Sequence, residues 1–221
     1  MTKLAGARAV AIACVAVLAA AGGGLVAWQW KPRAEIDHEA LRKARLMEDV
    51  MFGRAAIGGP FLLTDHHGRR RSLDEFRGKV VLLYFGYTFC PDVCPTDLVA
   101  ISKTIEAFGP SGEKIQPLFV TLDPERDTIE QLGLYVTHFH PRLIGLTGTL
   151  QEIGKVTELY KVYFKKVPAR EGPHYFLDHS AYIFVLDEQG KYYGTFPPGT
   201  STKRLTSVVW ELLHTMPTAA R

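Results

Sequence analysis

An α/β domain, a mixed β-sheet flanked by helices, is the fold class predicted for most of this chain of 221 residues. Three observations predict it. The continuous apolar run 80–85, bounded by Gly78-Lys79 and Gly86, reads as a strand buried on both faces. Segments of strand and helix character then alternate along the chain. Near the end, two β-type segments flank Asp187-Glu188-Gln189-Gly190, as in an antiparallel hairpin. Composition agrees, since 47% hydrophobic and 22% charged residues describe a globular chain and exclude a disordered or collagen-like one.

The elements follow in order. Phe61 to Asp65, then His66-His67-Gly68, then Arg69 to Ser72 read as an opening hairpin, with Gly68 supplying the turn. After strand 80–85 comes a loop to Cys94. Pro95 suits the first turn of a helix in which Leu98, Ile101, Ile105 and Phe108 recur at helical spacing until Gly109-Pro110. A strand at 118–122, a helix after Asp127, a short strand at 142–146 and a helix at 150–160 are expected next. Strands at 181–186 and 191–196 form the terminal hairpin, and a helix from about Ser201 to His214 follows. A parallel centre with such a hairpin and helix is compatible with a thioredoxin-like mixed sheet carrying an added N-terminal hairpin.

Residues 9–30 are apolar apart from Gln29, and at about 1.5 Å per residue such a helix crosses the roughly 30 Å hydrocarbon layer. The segment is read as a single transmembrane helix, with Trp28 and Trp30 at its interface and Lys3 and Arg8 keeping the N-terminus inside. Two other readings compete with it. Ala19-Ala20-Ala21 resembles a signal-peptide cleavage site, and Cys14 offers a lipidation site. Each exports the domain, so the expected location is the bacterial inner membrane, single-pass, with the soluble part on the periplasmic side. The expected organisation is a cytoplasmic N-terminus (1–8), anchor (9–30), spacer (31–56), domain (57–215) and C-terminal tail (216–221). Lys3 and Arg8 are the only charges among the first 30 residues, which leaves 24 bases against 23 acids. So even a balance argues against a nucleic-acid partner.

The chemistry lies in Cys90-Pro91-Asp92-Val93-Cys94-Pro95. A disulfide across three intervening residues constrains little chain, so a purely structural bridge is the weaker account. At a helix start, free backbone N–H groups and the macrodipole stabilise a thiolate, which can attack disulfides or bind a soft metal. Two thiolates suit Cu(I), and an added imidazole also tolerates Cu(II). Of eight histidines, His179 stands out, because Asp178-His179-Ser180 immediately precedes the terminal hairpin and places an imidazole on a loop at a sheet edge. Asp178 or Ser180 could orient the ring. His174 is the spare candidate, His66-His67 suit a turn, and Asp127 suits the cap of the helix that follows it. Arg69-Arg70-Arg71 reads as a solvated face.

These residues resemble the Sco/SenC family of membrane-anchored copper proteins. The resemblance is carried by the segment 85–95, by Val120-Thr121-Leu122-Asp123-Pro124-Glu125-Arg126-Asp127-Thr128 and by Asp178-His179-Ser180. It implies a thioredoxin-like fold and a copper site of Cys90, Cys94 and His179, with Cys90 and Cys94 forming a redox disulfide. It further implies a metallochaperone for cytochrome c oxidase assembly, whose partner is the copper-bearing oxidase subunit or another copper chaperone. A thiol-disulfide oxidoreductase acting on the cysteines of a copper-receiving protein is the alternative. A thiol peroxidase has weaker support.

Overall fold

The computed structural model describes residues 56–168 and 175–215, together with positions 41, 44, 45 and 48. The expected anchor at 9–30, Cys14, His174 and the tail lie outside the described residues, as does nearly all of the spacer. Among the described residues no helix is long and apolar enough to cross a membrane.

Nine strands and four α-helices are described: β1 (Leu62–Asp65), β2 (Arg70–Ser72), β3 (Val80–Gly86), α1 (Val93–Ala107), β4 (Ile115–Thr121), α2 (Ile129–Val136), β5 (Ile144–Thr147), α3 (Leu150–Tyr160), β6 (Phe164–Pro168), β7 (Tyr175–His179), β8 (Ile183–Leu186), β9 (Tyr192–Phe196) and α4 (Thr202–Thr215). Seven strands form one mixed sheet in the order β2-β1-β5-β4-β3-β8-β9. Its centre is parallel, with β3 beside β4 and β4 beside β5, while β8 joins β3 and β1 joins β5 antiparallel. The mixed sheet expected from the sequence is therefore present. The opening hairpin extends that sheet, with Gly68 in its turn at φ +79°, a conformation glycine adopts at no steric cost.

The apolar run at β3 is explained by its two faces. Val81, Leu83 and Phe85 pack with Tyr160 of α3 and Phe184 of β8. Val80, Leu82 and Tyr84 pack with Leu98, Ile101 and Ile105 of α1 and with Leu205, Val209 and Leu212 of α4. Successive strand residues face opposite ways, so a strand sandwiched between helical layers is apolar at nearly every position. Every residue of β3 and of β4 is buried.

One pair of strands was not expected. β6 and β7 form a separate two-stranded antiparallel sheet, in which Phe164 lies opposite His179 and Lys166 opposite Leu177. His179 thus ends a strand, where the sequence suggested a loop. Leu177 buries its side chain against the core, and this tertiary contact stabilises a segment whose own pattern does not alternate. The helix after Asp127 also differs at its start. Thr128 is its N-cap, its side chain accepting the Gln131 N–H.

Candidate functional site

The site is built where the sheet's parallel strands end. β3 stops at Gly86, the chain loops through residues 87–92, and α1 begins at Val93, so Cys94 sits in the first helical turn. A buried carboxylate bolts this loop in place. Asp127 accepts the Thr88 N–H at 2.9 Å, the Thr88 hydroxyl at 2.7 Å and the Thr121 hydroxyl at 2.6 Å, and it is fully buried. Expected from sequence to cap a helix, Asp127 instead ties the cysteine loop to β4. Capping falls to its neighbour, because a carboxylate in demand from three donors cannot also face the helix start. Asp127→Ala would orphan those donors, at about 1–3 kcal/mol each before relaxation. A loss of about 2–4 kcal/mol in urea denaturation is the expected result.

Cys90 is half-buried and Cys94 is fully buried, and neither is in a disulfide. Their environments divide one proton between them. The hydrogen bond from the Cys94 thiol, the backbone N–H groups of Asp92 and Cys94, and the nearby His179 together lower the Cys90 thiol to about 5, against the opposing cost of partial burial. Cys94 shifts the other way, raised first by its hydrogen bond to Cys90 and then by burial. Cys90 is the thiolate of the pair, and Cys94 holds the proton.

Gly86 makes room for this arrangement. A Cβ there would stand 2.7 Å from the Cys94 sulfur and 3.0 Å from the Phe119 ring. Beneath the sulfur lie two buried polar side chains that sequence reasoning missed, Asp97 and Tyr84. One Asp97 oxygen accepts the Gly199 N–H at 2.9 Å. Its other oxygen and the Tyr84 hydroxyl make no hydrogen bond of good geometry, although they lie close enough for burial and mutual interaction to raise the Tyr84 phenol. Burial likewise raises the Asp97 carboxyl. A signal for Asp97 existed, since it falls beside Leu98 on the inward stripe of α1, where a charge is unusual.

His179 reaches the dithiol from β7. Its Nε2 stands 3.6 Å from the Cys94 sulfur, and its Nδ1 stands 3.1 Å from the Leu177 carbonyl. A carbonyl can only accept, so Nδ1 carries a hydrogen, and Nε2 is the nitrogen that faces the sulfur. The main chain therefore sets the ring's tautomer, the task the sequence offered to Asp178 or Ser180. Asp178 is exposed, opposite Lys165 in the strand pair. The Ser180 hydroxyl accepts the Tyr163 N–H instead. Tyr87 packs edge-on against the imidazole at 5.7 Å between centroids.

Sulfur and nitrogen ligands at about 2.3 Å and 2.0 Å from a single first-row ion stand roughly 3.5–3.8 Å apart at tetrahedral or trigonal angles. The observed 3.6 Å lies in that range. Among the described residues no three His, Cys, Asp or Glu side chains are already gathered as a metal cage. Closing Cys90, Cys94 and His179 on one ion requires the Cys94 proton to leave and the side chains to adjust. The other histidine pair is occupied by structure. His66 accepts the Gly145 N–H through Nδ1, and the two rings pack on each other at 4.1 Å.

A dithiol at a helix start after a buried parallel strand, with an imidazole brought to the second sulfur from beside the terminal hairpin, defines a thioredoxin-like domain equipped for thiol or soft-metal chemistry. The chain belongs to the SCO1/SenC family, whose model matches residues 50–214. It is 44% identical over 160 residues to the mitochondrial SCO2 homologue of Bos taurus, covering 71% of this chain and 60% of that protein. It is 42% identical over 150 residues to the SCO2-like protein of Rickettsia felis, covering 67% of this chain and 73% of that one. The chain thus spans less than two thirds of the length of the bovine relative. Among solved structures it is similar to Bradyrhizobium japonicum ScoI with copper bound, at TM-score 0.66 and 41% identity over 71% of this chain and 99% of that one. Arabidopsis thaliana ScoI with copper bound gives TM-score 0.69 and 37% identity over 73% and 100%.

Proposed function

We propose that this protein is a membrane-anchored copper metallochaperone that serves cytochrome c oxidase assembly. In this reading residues 9–30 hold it in the bacterial inner membrane, residues 57–215 work on the periplasmic side, and Cys90, Cys94 and His179 bind the copper. The observation that carries the reading is the approach of His179 Nε2 to within 3.6 Å of the Cys94 sulfur. The copper held by relatives at 41% and 37% identity supports the choice of cargo.

Copper is the cargo, and each group has a task in handling it. Cys90, already a thiolate and half-exposed, offers the first sulfur. Cys94 adds the second once it has given up its proton, and His179 presents a lone pair fixed by Leu177. Soft sulfur suits Cu(I), while the imidazole extends the site to Cu(II). Transfer to the copper-bearing oxidase subunit or to another chaperone proceeds by exchange of one ligand at a time. Oxidation of this thiolate–thiol pair passes two electrons to an external oxidant, releases the single Cys94 proton, forms a disulfide and removes both sulfur ligands. Redox state thereby gates binding.

Anaerobic titration of the reduced protein with Cu(I) is expected to saturate at one ion per chain, and the disulfide form is expected to bind at least about tenfold more weakly. His179→Ala should lower affinity and change the absorption and spin-resonance spectra of the Cu(II) form. Unchanged affinity and spectra would remove His179 from the ligand set.

The division of one proton between the thiols favours a second reading, a thiol-disulfide oxidoreductase acting on a copper-receiving protein. Under it, Cys90→Ser and Cys94→Ser each stop turnover of a disulfide substrate while His179→Ala spares most of it.

A further inference from the structure

We infer that Arg126 is a positioning residue that clasps the His179 hairpin against the cysteine loop and so sets the separation of His179 from Cys94. The inference deepens the copper reading above and rests on it for its consequence, though not for its geometry. Its starting point is that His179 sits on β6–β7, which is not hydrogen-bonded into the seven-stranded sheet. Two metal-binding sulfurs on a rigid helix and loop are therefore served by a third group on a separate piece of structure. Something must hold the pieces in register.

Arg126 lies where they meet. Its Nη1 donates to the Tyr175 carbonyl at 3.0 Å, at the start of β7, and its Nε pairs with the buried Asp123. Asp123 in turn accepts the Tyr175 hydroxyl at 2.8 Å. The guanidinium lies 3.7 Å from the Tyr175 ring centroid on the hairpin, and 4.9 Å and 5.8 Å from the centroids of Phe89 and Tyr87 on the cysteine loop. Tyr87 then touches His179 edge-on. One planar cation thus contacts both the loop that bears Cys90 and the hairpin that bears His179. Its Nη2 is buried without a hydrogen-bond partner, so the aromatic faces take the place of water around that edge of the charge. A lysine, a compact and strongly hydrated point charge without the planar fork, cannot reproduce this arrangement. Glu125, next along the same turn, pairs with Lys166 of β6 and adds an exposed tie to the same hairpin.

The test uses the full-length reduced protein, with Arg126→Met to remove the charge and fork, Arg126→Lys to keep only the charge, and Tyr175→Phe to remove only the bond to Asp123. The first readout needs no metal: nuclear Overhauser contacts between the Tyr87 ring and the His179 imidazole. They should be strong in the unmodified protein, weakened in Tyr175→Phe and lost in Arg126→Met and Arg126→Lys. The second is the rate at which a chromogenic chelator strips bound Cu(I). Release should be at least about tenfold faster in Arg126→Met and about two- to fivefold faster in Tyr175→Phe, as loss of a partly buried cation–π cluster or of a single hydrogen bond implies. Folding is followed by circular dichroism. If Arg126→Met does not fold, Tyr175→Phe decides by the same two readouts. A folded variant with unmoved ring contacts and an unchanged release rate overturns the clasp. Failure of the unmodified protein to take up copper overturns the metallochaperone reading instead, and the ring contacts still judge Arg126.

Discussion

Iodoacetamide added to the reduced protein at pH 7 is expected to modify Cys90 and leave Cys94 intact, at a ratio above about thirty, because one thiol is ionised and half-exposed and the other is protonated and sealed. The direction of the pH dependence follows from the shifts. Cys90 is lowered to about 5, so its thiolate persists as pH falls from 9 and is lost only on passing through about 5. Below that point alkylation should slow about tenfold per pH unit. Cys94 is shifted upward, so its reaction should not begin in the ordinary thiol range around 8.5. Mass spectrometry of peptides labelled between pH 4 and pH 9 measures both. Equal labelling of the two cysteines, or a Cys90 midpoint near 8.5, would contradict the proton division described above. Denaturing the protein should abolish the selectivity, since the helix start and the Cys94 donor exist only in the fold.

Gly86→Ala is expected to damage the site more than its single methyl group suggests. The new Cβ would lie 2.7 Å from the Cys94 sulfur, 3.0 Å from Phe119 and 3.2 Å from Tyr84, all of them fully buried side chains with no room to withdraw. Overpacking of this kind costs about 1–3 kcal/mol. The cheapest relief is displacement of the sulfur, so copper affinity should fall by about tenfold or more on top of the stability loss. Gly194→Ala is the matched control, since a Cβ in that strand meets nothing within 4 Å. Urea denaturation and competition for Cu(I) against a chelator measure the two effects. A Gly86→Ala protein with undiminished copper affinity would mean that the Cys94 position is not held by this contact.

Much of the sheet was legible because its physics is local. A strand covered by helices on both faces reads as a nearly continuous apolar run, and β3 is buried in every residue, with the Tyr84 hydroxyl its one polar side-chain group. A helix such as α3 carries its own start signal, Thr149 and Glu152 capping each other reciprocally. β6–β7 was not legible, because Phe164-Lys165-Lys166-Val167-Pro168 alternates poorly and ends in proline, while its partner strand is fixed by Leu177 entering a core built from other segments. The same limit governed Asp127. Asp127 and Thr128 both have the chemistry of a cap, and the choice between them was made by Thr88, far away in sequence. At the site, Cys90, Cys94 and His179 were marked by residue type and neighbours. Gly86, Tyr84 and Asp97 matter through what surrounds them, and a linear reading has little access to that.

β3 and β4 run side by side in register to a common finish, Gly86 opposite Thr121, and the Leu122 N–H donates to the Gly86 carbonyl at 2.7 Å just past that line. The stretch that carries the cysteines and the stretch from Asp123 to Asp127 therefore leave the sheet as one welded rim, although a whole helix separates them along the chain. A chimera that imports one stretch from a distant homologue and keeps the other native should inherit a mismatched joint, whereas grafting both together should preserve the fit. The two should then behave as a single heritable part.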